Sequence, residues 1–316
     1  MGDDVGGTCG RERKGRGMIA VVGSANMDVV TEVVRMPHPG ETVAGRALRH
    51  YPGGKGANQA VAAARVGGSV SFYGKVGRDA YGERLLDAMR ADGVDVAGVE
   101  IAPDAATGTA SIWVEDTGEN AIACVPGANG AVDRGYVDRV LARIAGARVL
   151  LLQLEIPLET IGYLLDRLPR ERPLVVLDPA PARDISRLRL SRIDVLTPNE
   201  TELHSLTGIS DTARAARSLL ADGVRTVVCK AGERGAFCFG VATYHVPPFH
   251  VQVVDTTAAG DAFNGALAVA LADRPLEQAI RFANAAGALA TTKPGAQPSL
   301  PWRAEVEGLL ALEKRA

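Results

Sequence analysis

Apolar positions fall along the chain in short β-rich runs separated by amphipathic stretches. The run Ile19-Ala20-Val21-Val22-Gly23 is apolar at consecutive positions, the pattern of a strand buried on both faces of a parallel sheet. Similar runs at 69–74, 149–154, 174–178, 195–198 and 226–230 predict further strands. Helical periodicity over 57–66, 81–91, 158–168, 200–207 and 213–221 predicts helices between them. Such alternation predicts an α/β fold, a three-layer α/β/α doubly wound sandwich around a mostly parallel sheet.

Two segments break the alternation. Residues 41–51 and 109–125 read as antiparallel strands, the second folded as a hairpin about Asp116-Thr117-Gly118-Glu119. Ile112, Val114, Ala121 and Ala123 alternate with residues such as Trp113 and Ile122, so neither face is polar. This predicts a small β-sheet lid, formed by about 29–51 and 108–126, that packs on substrate or on another subunit. A homodimer through the lid is the expectation.

Composition narrows the partners. The 316 residues suffice for one large domain over 18–316 or for two modest ones, and 47% hydrophobic with 23% charged residues is ordinary for a buried-core protein. A net charge of −2 leaves no electrostatic footprint for nucleic acid or an anionic membrane, so a small molecule is the default partner. No apolar run reaches membrane-spanning length, and residues 1–17, rich in Gly, Arg and Asp, predict a disordered leader without a signal-peptide core. Met18 could equally be the start. Cys9, Cys124, Cys229 and Cys238 are scattered without metal or disulfide spacing, which fits a reducing cytoplasm. The five histidines form no H-E-x-x-H, so hydrolytic metal chemistry has no support.

The segment Val253-Val254-Asp255-Thr256-Thr257-Ala258-Ala259-Gly260-Asp261-Ala262-Phe263-Asn264-Gly265 carries the candidate chemistry. A β-rich run enters a loop of small residues, and a helix starts at about Gly260. Small side chains let the amides of Ala258, Ala259 and Gly260 approach an anion, and the helix N-terminus adds its positive end. Asp261, in the first turn of a helix apolar nearly all round, should face this hole and could accept a proton from an attacking hydroxyl. Taken alone, Asp261 is equally consistent with a counter-charge to the helix dipole, worth roughly 0.3–1 kcal/mol. There is no G-x-x-x-x-G-K-[ST] and no G-x-G-x-x-G after the first strand, which argues against P-loop kinases and dinucleotide oxidoreductases.

From about Ile19 to Trp302 the sequence resembles the ribokinase-like carbohydrate kinases. Gly53-Gly54-Lys55-Gly56-Ala57-Asn58 is similar to the family's first signature, and Asp255 to Gly265 to its second. Gly23-Ser24-Ala25-Asn26-Met27-Asp28, the stretch from Gly118-Glu119-Asn120 to Pro126-Gly127-Ala128-Asn129, and Thr197-Pro198-Asn199-Glu200-Thr201-Glu202 resemble its sugar-binding, lid and phosphate motifs. The resemblance implies that Asn26, Asp28, Gly54, Lys55, Asn58, Glu155 and Asp261 contact ribose. It places ATP against Asn199, Glu202, Lys230, Gly232, Gly260 and Asn284, with Mg²⁺ reached from Asn199 and Glu202, and it makes Ala258, Ala259, Gly260 and Asp261 the catalytic set. It also implies K⁺ beside the anion hole, at Asp255, Thr257, Ala290, Lys293, Gly295 and Ser299.

Read apart from the resemblance, Asn26 and Asp28 could end a strand in a turn, Gly53-Gly54 could be a turn before a helix, and Lys230 could be a strand-end lysine in solvent. The implied reaction is phosphorylation of D-ribose at O5 by ATP. A kinase for deoxyribose, a ketose or a nucleoside is the alternative within the family, and a non-catalytic sugar-binding regulator the alternative outside it.

Overall fold

The computed structural model describes residues 18–171 and 173–313. The leader expected over 1–17 lies outside them. In chain order the first elements are β1 (Ile19–Val22), β2 (Asn26–Val33), β3 (Gly45–Gly53), α1 (Lys55–Arg65), β4 (Val70–Gly77), α2 (Ala80–Ala91) and β5 (Asp95–Ala102). Next come β6 (Gly108–Glu115), β7 (Asn120–Val125), α3 (Arg134–Ala145), β8 (Val149–Leu152), α4 (Leu158–Arg167), β9 (Leu174–Leu177) and β10 (Val195–Leu196). The chain continues with α5 (Glu200–Thr207), α6 (Thr212–Ala221), β11 (Val227–Lys230), β12 (Ala236–Phe239), β13 (Tyr244–Val246), α7 (Ala259–Leu271), α8 (Leu276–Ala290) and α9 (Arg303–Glu313).

Nine strands form one sheet in the order β13-β12-β11-β10-β9-β8-β1-β4-β5, parallel from β11 to β5 and antiparallel only at its β12–β13 edge. Period-two alternation assigns the two cores. Ile19 and Val21 of β1 point into the layer holding α1, α7 and α8, while Ala20 and Val22 point into the layer of α3, α4 and α6. Local chemistry sets several helix starts: Asp79, Asp133 and Asp211 each accept from a backbone amide of the first turn of α2, α3 and α6.

The second sheet has the order β3-β2-β6-β7. It begins at Asn26, earlier than the segment 29–51 expected of a lid, and the stretch 41–44 is not strand. Beside the antiparallel pairing expected of 41–51 and 109–125, β2 runs parallel to β6. Each local hairpin, β2–β3 and β6–β7, is antiparallel, but the chain makes a long crossover through α1, β4, α2 and β5 before β6 joins β2. Within the lid segment β2 was not read as a separate strand, since the polar Asn26 and Asp28 interrupt its apolar pattern; nor were β5, α3, α8, α9 and the short edge strands β12 and β13 anticipated. Among the described residues no helix is long and apolar enough to cross a membrane.

Candidate active site

Helix α7 carries buried residues over nearly its whole circumference, and Asp261 in its first turn is itself 6% exposed. The residue before the helix, Ala258, adopts a left-handed conformation at φ 60°, so the chain turns abruptly there at a cost of roughly 1–2 kcal/mol for a non-glycine residue. Among the described residues the amides of Ala258 and Gly260 make no hydrogen bond; that of Ala259 reaches Thr256 O at 3.3 Å, the long end of the ordinary range. These groups line a cleft of about 740 Å³ together with Lys55, Asp178, Asn199, Glu202, Lys230, Gly232 and Asn284.

Behind Asp261 lies a buried polar chain. Asn58 Nδ2 donates to Asp261 Oδ2 at 2.9 Å, and Gln59 Nε2 lies 3.1 Å from Oδ1. Gln59 Nε2 also reaches Asp178 Oδ2 at 2.9 Å, and Gln153 Nε2 donates to Gln59 Oε1 at 2.6 Å. The Oδ1 of Asn58 is buried without a partner among the described residues, leaving an acceptor for a hydroxyl donor. Burial raises the Asp261 pKa; the Lys55 ammonium opposes that shift and Asp178 adds to it. For Lys55 the order reverses: burial alone would lower its pKa, but Asp261, Asp178, Glu155 and Glu202 together raise it.

The sugar-motif residues meet where the two sheets join, between β1 and β2 and at the end of β3. Glu155 Oε2 accepts from the Lys55 amide at 3.0 Å and from Ser24 Oγ. Asn129 Oδ1 accepts from the Ala25 amide at 3.0 Å and its Nδ2 donates to Asn26 Oδ1 at 2.7 Å, fixing the Asn26 amide. Close backbone approach explains the glycines. A Cβ on Gly54, at φ 87°, would stand 2.6 Å from Asn26 N, and one on Gly53 would stand 2.2 Å from an Asp28 carboxylate oxygen. By register, Asp28, Ala110 and Cys124 share one face of the small sheet. Burial, then the charges of Glu155 and Asp261, push the Asp28 pKa from 3.8 to about 7. Asn26, Asp28, Gly54, Asn58 and Glu155 lie outside the cleft lining; Asn58 meets it through Asp261 and Glu155 through the Lys55 amide.

On the opposite side, Asn199 and Glu202 form a capping box at the start of α5: Asn199 Oδ1 accepts from the Glu202 amide, and Glu202 Oε2 from the Asn199 amide, each at 2.7 Å. That leaves Asn199 Nδ2 and Glu202 Oε1 without partners among the described residues and on the cleft wall. Lys230 is no solvent-exposed strand end. Its Nζ pairs with Asp178 Oδ1 at 2.8 Å, and its side chain is 14% exposed. Gly232, at φ 56°, opens a tight turn on the cleft wall, and Asn284 Nδ2 donates to Val246 O and Pro247 O.

None of the six residues expected at a monovalent cation lines the cleft; Thr256 and Thr291, neighbours of three of them in sequence, do. Asp255 is tied to both loops, accepting from the Thr257 amide at 2.9 Å and the Gly295 amide at 2.8 Å. Burial would raise its pKa, but these amide bonds hold it below the ordinary value. The Lys293 ammonium goes to Glu305 at 2.8 Å and Ser299 Oγ to Ala296 O at 2.8 Å, so both leave main-chain oxygens as the hard donors a K⁺ would need. Among the described residues no group of three or more His, Cys, Asp or Glu side chains could by itself hold a metal ion.

The model of the pfkB family of carbohydrate kinases matches residues 16–303. The chain belongs to that family. It is 40% identical over 297 residues to a ribokinase of Haemophilus influenzae, covering 92% of this chain and 97% of the relative. It is 36% identical over 291 residues to a deoxyribokinase of Salmonella typhimurium, covering 90% of this chain and 95% of that one. The structure of Arabidopsis thaliana ribokinase complexed with ribose and ATP superposes with a TM-score of 0.86 at 35% identity, over 93% of this chain and 98% of the other. The pfkB kinase thus has an α/β fold shared over almost its whole length with sugar kinases. Not anticipated from the sequence were Asp178, Gln59 and Gln153. Asp178 and Gln153 directly follow the apolar strands β9 and β8, at the carboxyl edge where open α/β sheets bind ligands, and that position was the available signal.

Proposed function

We propose that this carbohydrate kinase transfers the γ-phosphoryl group of ATP to O5 of D-ribose, giving D-ribose 5-phosphate and ADP. Asp261 takes the proton of the attacking hydroxyl as the O–P bond forms, and the amides at 258–260 receive the charge on the transferring group. The single observation that carries this reading is the buried Asp261 carboxylate sharing one cleft with amides that have no other strong partner. A raised pKa makes the ionised Asp261 a stronger base, while the Lys55 cation keeps ionisation accessible. Asn26, Asp28, Gly54, Lys55, Asn58 and Glu155 supply sugar contacts; Asn199, Glu202, Lys230, Gly232 and Asn284 flank the nucleotide. Mg²⁺ neutralises phosphate charge when bound, and the loops of Asp255, Thr257, Ala290, Lys293, Gly295 and Ser299 would hold K⁺ through oxygen donors. A small sheet that moves as a lid, a dimer through it and a cytoplasmic location complete the proposal.

Replacing Asp261 by Asn should lower kcat by at least about 100-fold while sugar binding persists. Wild-type turnover in that variant would remove the assigned base. The Salmonella relative favours deoxyribose as a second reading. ADP release measured against a panel of pentoses, deoxyribose, ketoses and nucleosides separates the two, ribose having the highest kcat/KM if the proposal holds.

A further inference from the structure

Asp178 stands at the carboxyl end of β9 and is 1% exposed, yet it borders the cleft. Both of its oxygens are committed: Oδ1 accepts from Lys230 Nζ at 2.8 Å and Oδ2 from Gln59 Nε2 at 2.9 Å. A buried carboxylate is destabilising unless paired and hydrogen-bonded, and here the lysine and the glutamine together satisfy both oxygens. The partner lysine matters for where it sits. A Cβ built on Gly260 would lie 3.5 Å from Lys230 Nζ, so the ammonium stands close to Gly260, whose amide belongs to the anion hole. The backbone of Lys230 is pinned as well, its amide donating to Pro198 O at 2.8 Å.

We propose that Asp178 is a positioning residue for phosphoryl transfer, holding the Lys230 ammonium beside the Ala259–Gly260 amides so that the cation meets the transferring group. This rests on the anion-hole reading given above. A lysine is a strongly hydrated charge on a four-carbon stem and, without an anchor, would swing to water. Asp178 takes one of its three donors, and no other partner occurs among the described residues, so two donors remain for phosphate oxygens. A cation held before the reaction needs no reorganisation at the moment of charge transfer. Gln59 extends the same anchor to Asp261, so one buried carboxylate sets the register of both sides of the reaction.

The test is a cycle of Asp178→Asn, Lys230→Met and the double variant, with Asp261→Asn in parallel. Asp178→Asn keeps an acceptor for Gln59 and removes only the charge. It is expected to lower kcat by roughly 10- to 100-fold and raise the ATP KM, with the ribose KM little changed. Because Asp178 acts through the lysine, the double variant should match Lys230→Met in kcat. Losses that multiply in the double variant, or full turnover in Asp178→Asn, would overturn the proposal. If Asp178→Asn does not melt cooperatively, Asp178→Ser, whose hydroxyl can still accept from Gln59, carries the same cycle. An inactive Asp261→Asn beside a multiplicative cycle would remove only the role of Asp178, whereas a fully active Asp261→Asn would remove the anion-hole reading itself.

Discussion

The carboxylates of this kinase are tuned by where they are buried and by one another. Asp28 shows the consequence for pH. Its pKa is raised from 3.8 to about 7, so the folded state holds the proton more tightly than the unfolded state. Its contribution to stability is therefore largest below about pH 4 and is lost as pH rises toward 7. Asp28→Asn should raise Tm at pH 8 and change it little near pH 4, which thermal melts at the two pH values would check. An equal shift at both would mean that the burial cost of Asp28 is not electrostatic. The ionised form is the better acceptor for sugar hydroxyls, so the ribose KM should rise as pH falls below about 7, and this dependence should vanish in the variant.

At the scale of elements, the position of Asp261 depends on how closely α7 lies against α1. Gly265, one turn along α7, faces α1 so tightly that a Cβ there would stand 2.6 Å from Ala62 Cβ and 2.7 Å from both Ala63 N and Gln59 O. Gly265→Ala must push the helices apart. The expected cost is about 1–3 kcal/mol in a denaturant melt, with a fall in kcat because the Gln59 contact to Asp261 lengthens. An unchanged midpoint would show that α1 gives way freely. At the other end of the turn, Ala258→Gly relieves left-handed strain but adds unfolded-state entropy of roughly 0.5–1 kcal/mol. Its Tm should stay close to that of the parent, so any loss of kcat there reports loosening of the anion hole.

At the scale of the molecule, the small sheet leaves large apolar side chains in water. Trp113 and Ile122 are exposed on opposite faces of it, given the β6–β7 register, and Leu48 and Val125 are exposed nearby. A dimer through this sheet would cover one such face. Trp113→Asp and Ile122→Asp, tested separately by sedimentation velocity, should yield a monomer in at least one case; a dimer surviving both would move the interface elsewhere. Rates compared in K⁺ and Na⁺ buffers test the loops around Asp255, the higher rate being expected in K⁺.

Much of the architecture was written in the linear pattern. Parallel strands buried on both faces leave unbroken apolar runs, and helices of ordinary length leave their periodicity, so most of the alternating core, from β1, α1 and β4 through β8, α4 and β9 to β11, and the helix carrying Asp261 were legible, while β5 and α3 were not. The Gly53 to Asn58 and Asp255 to Gly265 stretches were legible as well, because close backbone approach demands small residues locally. The chain pattern did not disclose that β2 would pair on both sides, since Asn26 and Asp28 disguise it as a turn. Nor did it disclose that Asp178, Gln59 and Lys230 would join in one hydrogen-bonded chain. Those contacts link residues far apart in sequence whose types are individually unremarkable; only the packing of α1, β9 and β11 around the cleft, which buries these donors and acceptors side by side, decided them.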